Sequence, residues 1–288
     1  MDGVVAAQFG PVAPPVAIAS PTCGVEDLCV GYGGLRQSRR MLALGDGWTR
    51  RWTTTWKSCG TPVVCPVRDL ASMPTVGYEP VRRFSWRTGQ RHRAGLQYLV
   101  STGRHHGFES IAEQHLLLAL DFAAGVLDVL AQPFRLRFAT REGWGEHIPD
   151  FLAVTNGGGL LADVRPGDRI GEEDRVRFAA AAETALACGW RYLVVTGWRR
   201  HVLSSLDSLS AQRRRLDDRL GVQDQLLAAA RCAPTRFGDL VAVTALPAVA
   251  RAHALHLIWH RRLGIDLAAP LTDATVVWAA TAQWGGDG

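Results

Sequence analysis

Lysine is almost missing from this chain. Lys57 is the single example, so 31 of the 32 basic side chains are arginine. A GC-rich genome is a sufficient cause, but the consequence is chemical: a site that ordinarily uses lysine must here use arginine or work without it. Long apolar runs are missing too. No stretch reaches the roughly 18 apolar residues of a transmembrane helix, so no membrane span is expected. The opening MDGVVAAQFGPVAPPVAIAS carries no early positive charge and is broken by prolines. It does not read as a secretory signal, and the expected location is the cytoplasm. Cysteine is sparse. Cys23 and Cys29, then Cys59 and Cys65, form two pairs with five residues between partners. That spacing is wider than the roughly two to four residues usual for structural zinc. Without a secretion signal a disulfide framework is not expected either. Cys188 and Cys232 lie in apolar helical contexts and read as small core residues.

What remains is ordinary for a globular chain of 288 residues, with 47% hydrophobic and 20% charged residues. That length allows one large domain or two small ones. A net charge of +5 is a weak pointer to a polyanionic partner. Residues 1–22 are rich in Pro, Ala and Gly, and are expected to be disordered. Residues 23–80 are rich in Trp, Gly and Arg and read as a small β-rich extension.

From residue 81 the pattern sharpens into a mixed α/β domain spanning 81–201. RRFSW and LQYLVS read as strands joined by the basic turn RTGQRHRAG. A helix is expected over 110–123, with Ser110 as N-cap. The runs VLDVLAQPF, FRLRFAT, HIPDFLAV and LLADVRP read as three or four strands. A second helix, over 172–188, opens on Glu172, Glu173 and Asp174, which suit its N-terminus, and Gly189 stops it. RYLVVTG is a short buried strand. Residues 202–288 change character. A charged connecting helix over 202–219 is followed by three helical segments, VQDQLLAAARC, TRFGDLVAVT and PAVARAHALHLIWHRRL, with Pro247 at a first helical position. IDLAAPLTDATVVW then reads as a hairpin. Three helices and a hairpin is the winged-helix order.

Chemistry concentrates in HIPDFLAVTNGGGLLADVRP. Pro149-Asp150 opens one strand, Asn156 to Gly159 makes a turn, and Asp163-Val164-Arg165 lies on the next. Residues two apart on a strand share a face, so Asp163 and Arg165 are expected together. A hairpin can place Asp150 beside Asp163. Two carboxylates held close are costly unless a cation neutralises them. Hard oxygen donors suit Mg²⁺ or Mn²⁺, which activates water and stabilises charge growing on a phosphodiester. The plainer alternatives are a turn-capping Asp150 and an Asp163–Arg165 salt bridge.

The segment resembles the PD-(D/E)XK motif of restriction-endonuclease-like nucleases, with arginine at the lysine position. Together, FESIAEQHLLLALDF, LAQPF, HIPDF and DVRP resemble the catalytic domain of TnsA-like endonucleases, the strand-cleaving subunits of heteromeric transposases. The winged-helix-like tail matches that family's two-domain plan. The resemblance covers roughly 80 to 280. It implies a mixed-sheet nuclease core and metal-dependent DNA cleavage. The implied partners are DNA, a DDE-type transposase and an ATPase regulator. Asp150, Asp163 and Glu113 would be the metal ligands. Glu109 competes with Glu113, four residues away on one helix face. Ser110 and Glu113 also fit a capping box. Arg165 stands where lysine would. Arginine stays protonated, so its expected role is electrostatic. Gln132, before Pro133, is a polar residue near this site without an assigned role.

Phosphate contacts are expected from two strips. One holds Arg82, Arg83, Arg87, Arg91, His92 and Arg93, interleaved with Phe84 and Trp86. The other holds Arg104, His105 and His106. The candidate recognition helix adds Arg251, His253, His256, His260, Arg261 and Arg262, with Val249, Ala252, Leu255 and Ile258 or Trp259 as its core face. Two other readings compete: a non-catalytic DNA-binding assembly subunit, and a stand-alone defence nuclease.

Overall fold

The computed structural model describes residues 17–73, 77–82 and 94–280. A single-turn helix α1 (Val25–Leu28) leads into β1 (Cys29–Gly31), then the short helices α2 (Leu35–Ser38) and α3 (Trp48–Arg51). The hairpins β2 (Thr53–Ser58)–β3 (Thr61–Pro66) and β4 (Gly95–Leu99)–β5 (Arg104–Phe108) come next. Helix α4 (Ile111–Phe122) precedes five strands: β6 (Val126–Ala131), β7 (Arg135–Ala139), β8 (Trp144–His147), β9 (Phe151–Thr155) and β10 (Gly158–Val164). Helix α5 (Glu172–Ala187) and strand β11 (Arg191–Trp198) follow. The C-terminal part holds α6 (Val202–Ser210), α7 (Val222–Cys232), β12 (Thr235–Arg236), α8 (Phe237–Ala242), α9 (Pro247–Trp259), β13 (Leu263–Gly264) and β14 (Val276–Ala279).

The class is α/β, with a mixed central sheet in the order β1-β11-β10-β9-β6. Only β10 and β11 run parallel, and α5 is the crossover that such a pair requires. Strands β9 and β10 form a two-residue hairpin at Asn156-Gly157, turn chemistry that suits a tight reversal. Alternation along the strands divides the core. Phe151, Ala153, Leu160 and Ala162 pack with Leu116, Leu117 and Leu120 of α4. Leu152 and Leu161 pack with Ala180, Ala181 and Ala185 of α5. The two helices therefore cover opposite faces.

Residues 23–80 do not stand apart as an extension. Strand β1 forms one edge of the central sheet, antiparallel to β11. Strand β2 pairs with β7 in a four-stranded sheet ordered β3-β2-β7-β8. Trp52 and Trp56 are fully buried among Phe134, Phe138 and Leu161. Cys23 and Cys29 lie in the α4-side core and Cys65 in the α5-side core, while Cys59 is exposed, so the two cysteine pairs do not meet. Cys232 is exposed rather than a core residue. The expected strand RRFSW and its basic turn fall mostly outside the described residues.

The connecting helix is shorter than expected. It ends at Ser210, and the run QRRRLDDR continues without helical structure. Three successive arginines repel along a helix, and here the chain instead lies against α9: His256 Nδ1 and His260 Nε2 donate to the Gln212 and Arg213 carbonyls at 2.8 and 3.0 Å. Helix α9 does begin at Pro247, but its buried face is rotated from the expected one. Ala250, His253, Ala254 and Leu257 are buried with Ile258 and Trp259, whereas Val249 is exposed. The cause is packing against α6, α7 and α8 together, which leaves only the N-terminal turns open. Phe122 of α4 meets Trp259 at 5.2 Å, so both parts of the chain share one core. Among the described residues no helix is long and apolar enough to cross a membrane.

Candidate active site

Three adjacent strands end together. Ala131 pairs with Phe151, and Phe151 with Ala162. One step further along that register stand Gln132, Asp150 and Asp163, a row of three polar residues across the end of an apolar sheet. The Gln132 N–H donates to the Asp150 carbonyl at 2.7 Å, which continues the ladder by one rung. Asp150 Oδ2 accepts the Val164 N–H at 2.7 Å, so its carboxylate takes the place of a main-chain acceptor.

This position is electrostatically uncomfortable. The Asp150 carboxyl is held well above the usual carboxylate range, first by burial and then by the charges of Asp163 and Glu113; the main opposing influence is the Val164 N–H. Asp163 is buried and tethered from two sides. His147 Nε2 lies 2.9 Å from Oδ2, and the Tyr192 hydroxyl donates to the same oxygen at 2.6 Å. Burial, then the Asp163 charge, raises the Tyr192 phenol well above its ordinary value. Sequence reasoning missed both tethers. Tyr192 reaches Asp163 because it pairs with Leu161, two residues before Asp163, on the neighbouring strand, a register the sequence does not show.

Glu113 approaches from the other layer. Ser110 is the N-cap of α4 and its hydroxyl oxygen accepts the Glu113 N–H at 3.2 Å. In return Glu113 Oε1 accepts the Ser110 hydroxyl and Oε2 accepts the Glu109 N–H, each at 2.8 Å. The Ser110 cap is formed, but the reciprocal arm of a capping box is shifted by one residue, onto the Glu109 N–H. Burial raises the Glu113 carboxyl, offset in part by these two hydrogen bonds. Glu109 precedes the N-cap and is not on the helix, so the shared-face argument does not apply to it. Its carboxylate pairs with Arg82.

Arg165 departs from expectation. The strand ends at Val164 and Pro166 follows, so alternation no longer aims the side chain. Its guanidinium is exposed and bonds Asp174 in the first turn of α5 at 3.3 Å and the Arg169 carbonyl at 3.2 Å. Among the described residues no Asp163–Arg165 salt bridge exists; Asp163 pairs with His147.

The three expected ligands are therefore gathered at one end of the sheet without closing into a ligand set. Asp163 lies on the α5 face, as Leu161 does, while Glu113 rides on α4. Among the described residues no group of three or more His, Cys, Asp or Glu side chains is arranged to hold a metal ion. In kind the donors do fit a hard divalent cation. They are carboxylate oxygens, Asp163 buried and Asp150 and Glu113 half-buried.

Gln132 is the strained member of the row. Its φ of +46° is left-handed, which costs a non-glycine residue about 1–2 kcal/mol. Its Oε1 is buried and meets no hydrogen-bond partner among the described residues.

No known family model matches the chain, and no curated protein matches it.

Among the described residues, most of the expected phosphate contacts are occupied. Arg82 pairs with Glu109, Arg104 with Asp128, and Arg251 with Asp273. His106 is buried, 2.7 Å from the Thr102 hydroxyl. Arg261 is contradicted as a surface contact. It is buried, stacks on Phe122 at 5.0 Å, and donates to the carbonyls of Phe122, Pro21 and Cys23. Arg262 is exposed. Arg83, Arg87, Arg91 and Arg93, with Phe84, Trp86 and His92, lie outside the described residues. A basic cavity that sequence reasoning missed is lined by Arg36, Arg39, Arg40 and Arg141, with a volume of about 440 Å³. Arg39 pairs with Glu183; the other three make no ion pair among the described residues. The run LRQSRR was its signal. Arg141 joins it because its N–H bonds the Met41 carbonyl.

Proposed function

We propose that this chain is a divalent-metal-dependent DNA endonuclease of the restriction-endonuclease-like class, cutting one strand at transposon ends as a TnsA-like subunit. The observation that carries this reading is the position of Asp150 and Asp163 one step past the paired Phe151 and Ala162 at one end of a mixed sheet, with the Val164 N–H bonded to the Asp150 carboxylate. The element order agrees with that class. An acid-bearing helix is followed by antiparallel strands, the two aspartates, a crossover helix and a parallel strand.

Asp150 and Asp163 would hold the cation, with Glu113 reaching it from α4. A bound Mg²⁺ or Mn²⁺ supplies a polarised water and stabilises charge at phosphorus. His147 and Tyr192 fix the orientation of the Asp163 carboxylate. Arg165, always protonated, takes no proton from water; released from Asp174, its fork can grip a phosphate oxygen. Arg36, Arg40 and Arg141 offer phosphate contacts away from the chemistry.

The C-terminal elements α7, β12, α8, α9, β13 and β14, with their sheet ordered β12-β14-β13, fit a winged helix. The open turns of α9 and the end of α8 present Val243, Leu246 and Val249 rather than unpaired arginines. That favours a protein partner on this surface, such as the transposase or its ATPase regulator, over a DNA groove.

A second reading is a non-catalytic DNA-binding assembly subunit. The engagement of Asp163 by His147 and Tyr192, and of Arg165 by Asp174, favours it. Calorimetric titration with Mn²⁺, with and without a DNA duplex, separates the two. Binding by the wild type that vanishes in an Asp150→Ala/Asp163→Ala variant supports the nuclease. No binding under either condition supports the assembly subunit.

A further inference from the structure

The hairpin β4–β5 has two unlike faces. Leu99 and Phe108 are buried in the core that α4 shares. Leu96 and Tyr98, two apart on β4, share the other face with His105, the strand partner of Tyr98. Leu96 and His105 are exposed and Tyr98 is half-buried. The Tyr98 and His105 rings meet edge to face at 5.2 Å. A cavity of about 420 Å³ is lined by Tyr98, Val100 and His105 from this hairpin and by Arg214 and Arg215. The Arg214 guanidinium lies over the Tyr98 ring, 5.5 Å from its centre.

Both sides of the cavity are anchored to one buried carboxylate. Asp121 of α4 accepts the Ser101 N–H, in the hairpin turn, at 2.8 Å through Oδ1, and its Oδ2 stands 3.8 Å from Arg213 Nε. His256 and His260 hold the carbonyls of Gln212 and Arg213. The first of three successive arginines is thereby turned inward, and the next two are exposed with no acidic partner among the described residues. The acids that follow are engaged elsewhere, Asp217 with Arg219 and Asp218 with the first N–H groups of α7. Two adjacent guanidiniums beside an open aromatic face suit a ligand that carries both negative charge and a flat ring.

We propose that this pocket binds an unpaired nucleotide of a DNA strand, its base stacked on Tyr98 and its phosphates held by Arg214 and Arg215. A base inside a duplex has both faces covered by its neighbours, so only an unpaired base can use the ring. Every base has such a face, so binding is expected without sequence preference. Stacking needs about 3.5 Å on each side of the base, about 7 Å in all between Tyr98 and Arg214. A rotamer change of the exposed Arg214 side chain supplies the difference. The choice of DNA over RNA rests on the function proposed above. The pocket itself needs no cation and shares no residue with the carboxylate row.

The test is fluorescence anisotropy of the full chain in EDTA, with labelled oligothymidylate, its ribose counterpart, an abasic strand of equal length and a duplex. The wild type is expected to bind oligothymidylate about tenfold more tightly than the abasic strand. Tyr98→Ala should remove that difference by weakening the first, with the abasic strand and the duplex unchanged. Tyr98→Leu keeps a large apolar side chain without an aromatic face. It is expected to behave in the same way, and it serves if the alanine variant does not fold. Arg214→Ala/Arg215→Ala should weaken both single strands and lower the slope of log affinity against log salt by about 1.4. No binding of oligothymidylate, equal binding of the abasic strand by the wild type, or Tyr98 variants that weaken both strands alike or neither overturn the proposal. A ribose strand bound more tightly than oligothymidylate overturns the choice of DNA. EDTA removes divalent metal, so none of these outcomes depends on the carboxylates, and a chain that binds no Mn²⁺ would leave this pocket standing.

Discussion

Asp150 stands just before β9, one step past the paired Phe151 and Ala162, and its carboxylate accepts the N–H of Val164, next to Asp163. One carboxylate is therefore built into the backbone of the strand that carries the other. A shift of that strand end disturbs both carboxylates.

That arrangement fixes a pH dependence. The Asp150 carboxyl is raised well above 3.8, so the folded chain holds this proton more tightly than the unfolded chain does. Its contribution to stability is fully present below the ordinary carboxylate range and is lost as pH rises through the raised value. Without metal, the Tm is expected to fall across that window. Asp150→Asn should flatten the fall and stabilise the chain near neutral pH by about 1–3 kcal/mol, several degrees in Tm. Melting curves across pH check this. An Asp150→Asn variant less stable than the wild type at neutral pH would count against the crowded-carboxylate picture.

Arg261 should matter for folding and not for DNA. Its buried guanidinium meets three carbonyls and one aromatic face, with no carboxylate partner among the described residues. Arg261→Ala leaves those carbonyls unpaired and is expected to cost about 3 kcal/mol or more. Arg261→Lys should recover only part, because one ammonium cannot replace the fork. Denaturant unfolding measures both. A surface contact would instead leave stability unchanged and weaken DNA binding.

Electrostatic binding should follow the unpaired arginines. Arg36→Ala/Arg40→Ala/Arg141→Ala is expected to lower the slope of log affinity against log salt by about 2–3, equally for unrelated duplexes. Arg104→Ala, which breaks an existing ion pair with Asp128, should change it little. Anisotropy titrations in EDTA isolate this from metal chemistry. Equal slopes for the wild type and the triple variant would remove the basic cavity from consideration.

Ser110 and Glu113 can be separated. Ser110→Ala removes the N-cap acceptor of α4 and should cost about 1 kcal/mol, with Mn²⁺ affinity reduced only modestly. Glu113→Gln can keep an acceptor for the Glu109 N–H and so much of the cap, but loses the charge, so its Mn²⁺ affinity should fall further than its Tm. If the two variants lose stability and affinity in the same proportion, Glu113 is a capping residue alone.

The elements of 94–201 were legible because period-two and helical patterns, caps and turn residues agreed there. Five strands lie between α4 and α5 where three or four were expected, since β8 hides in the polar stretch WGEH. Asp150 and Asp163 were legible as neighbours because a tight hairpin fixes register. What was not legible came from contacts distant in sequence. The Trp-rich stretch 52–56 is a core strand only because β7, 80 residues later, accepts it as a partner. Arg261 looks like its exposed neighbour Arg262 until the carbonyls of residues 21, 23 and 122 are seen around it. The direction of Arg165 depended on where its strand stopped, which a proline two residues past Val164 decides but a motif does not record.

The edge strand β1 and the segment before it have a consequence for synthesis. Ile18 donates to Asp266 across 248 positions, Ser20 bonds Ile265, and β1 pairs with a strand that ends at residue 198. On the ribosome this stretch emerges well before its partners. Strand β1 can pair once β11 is made, but Ile18 and Ser20 stay without these partners until residues 265 and 266 appear. A chain that stops before residue 263 would keep the β1–β11 edge but leave Ile18 and Ser20 without these partners, however complete its carboxylate row.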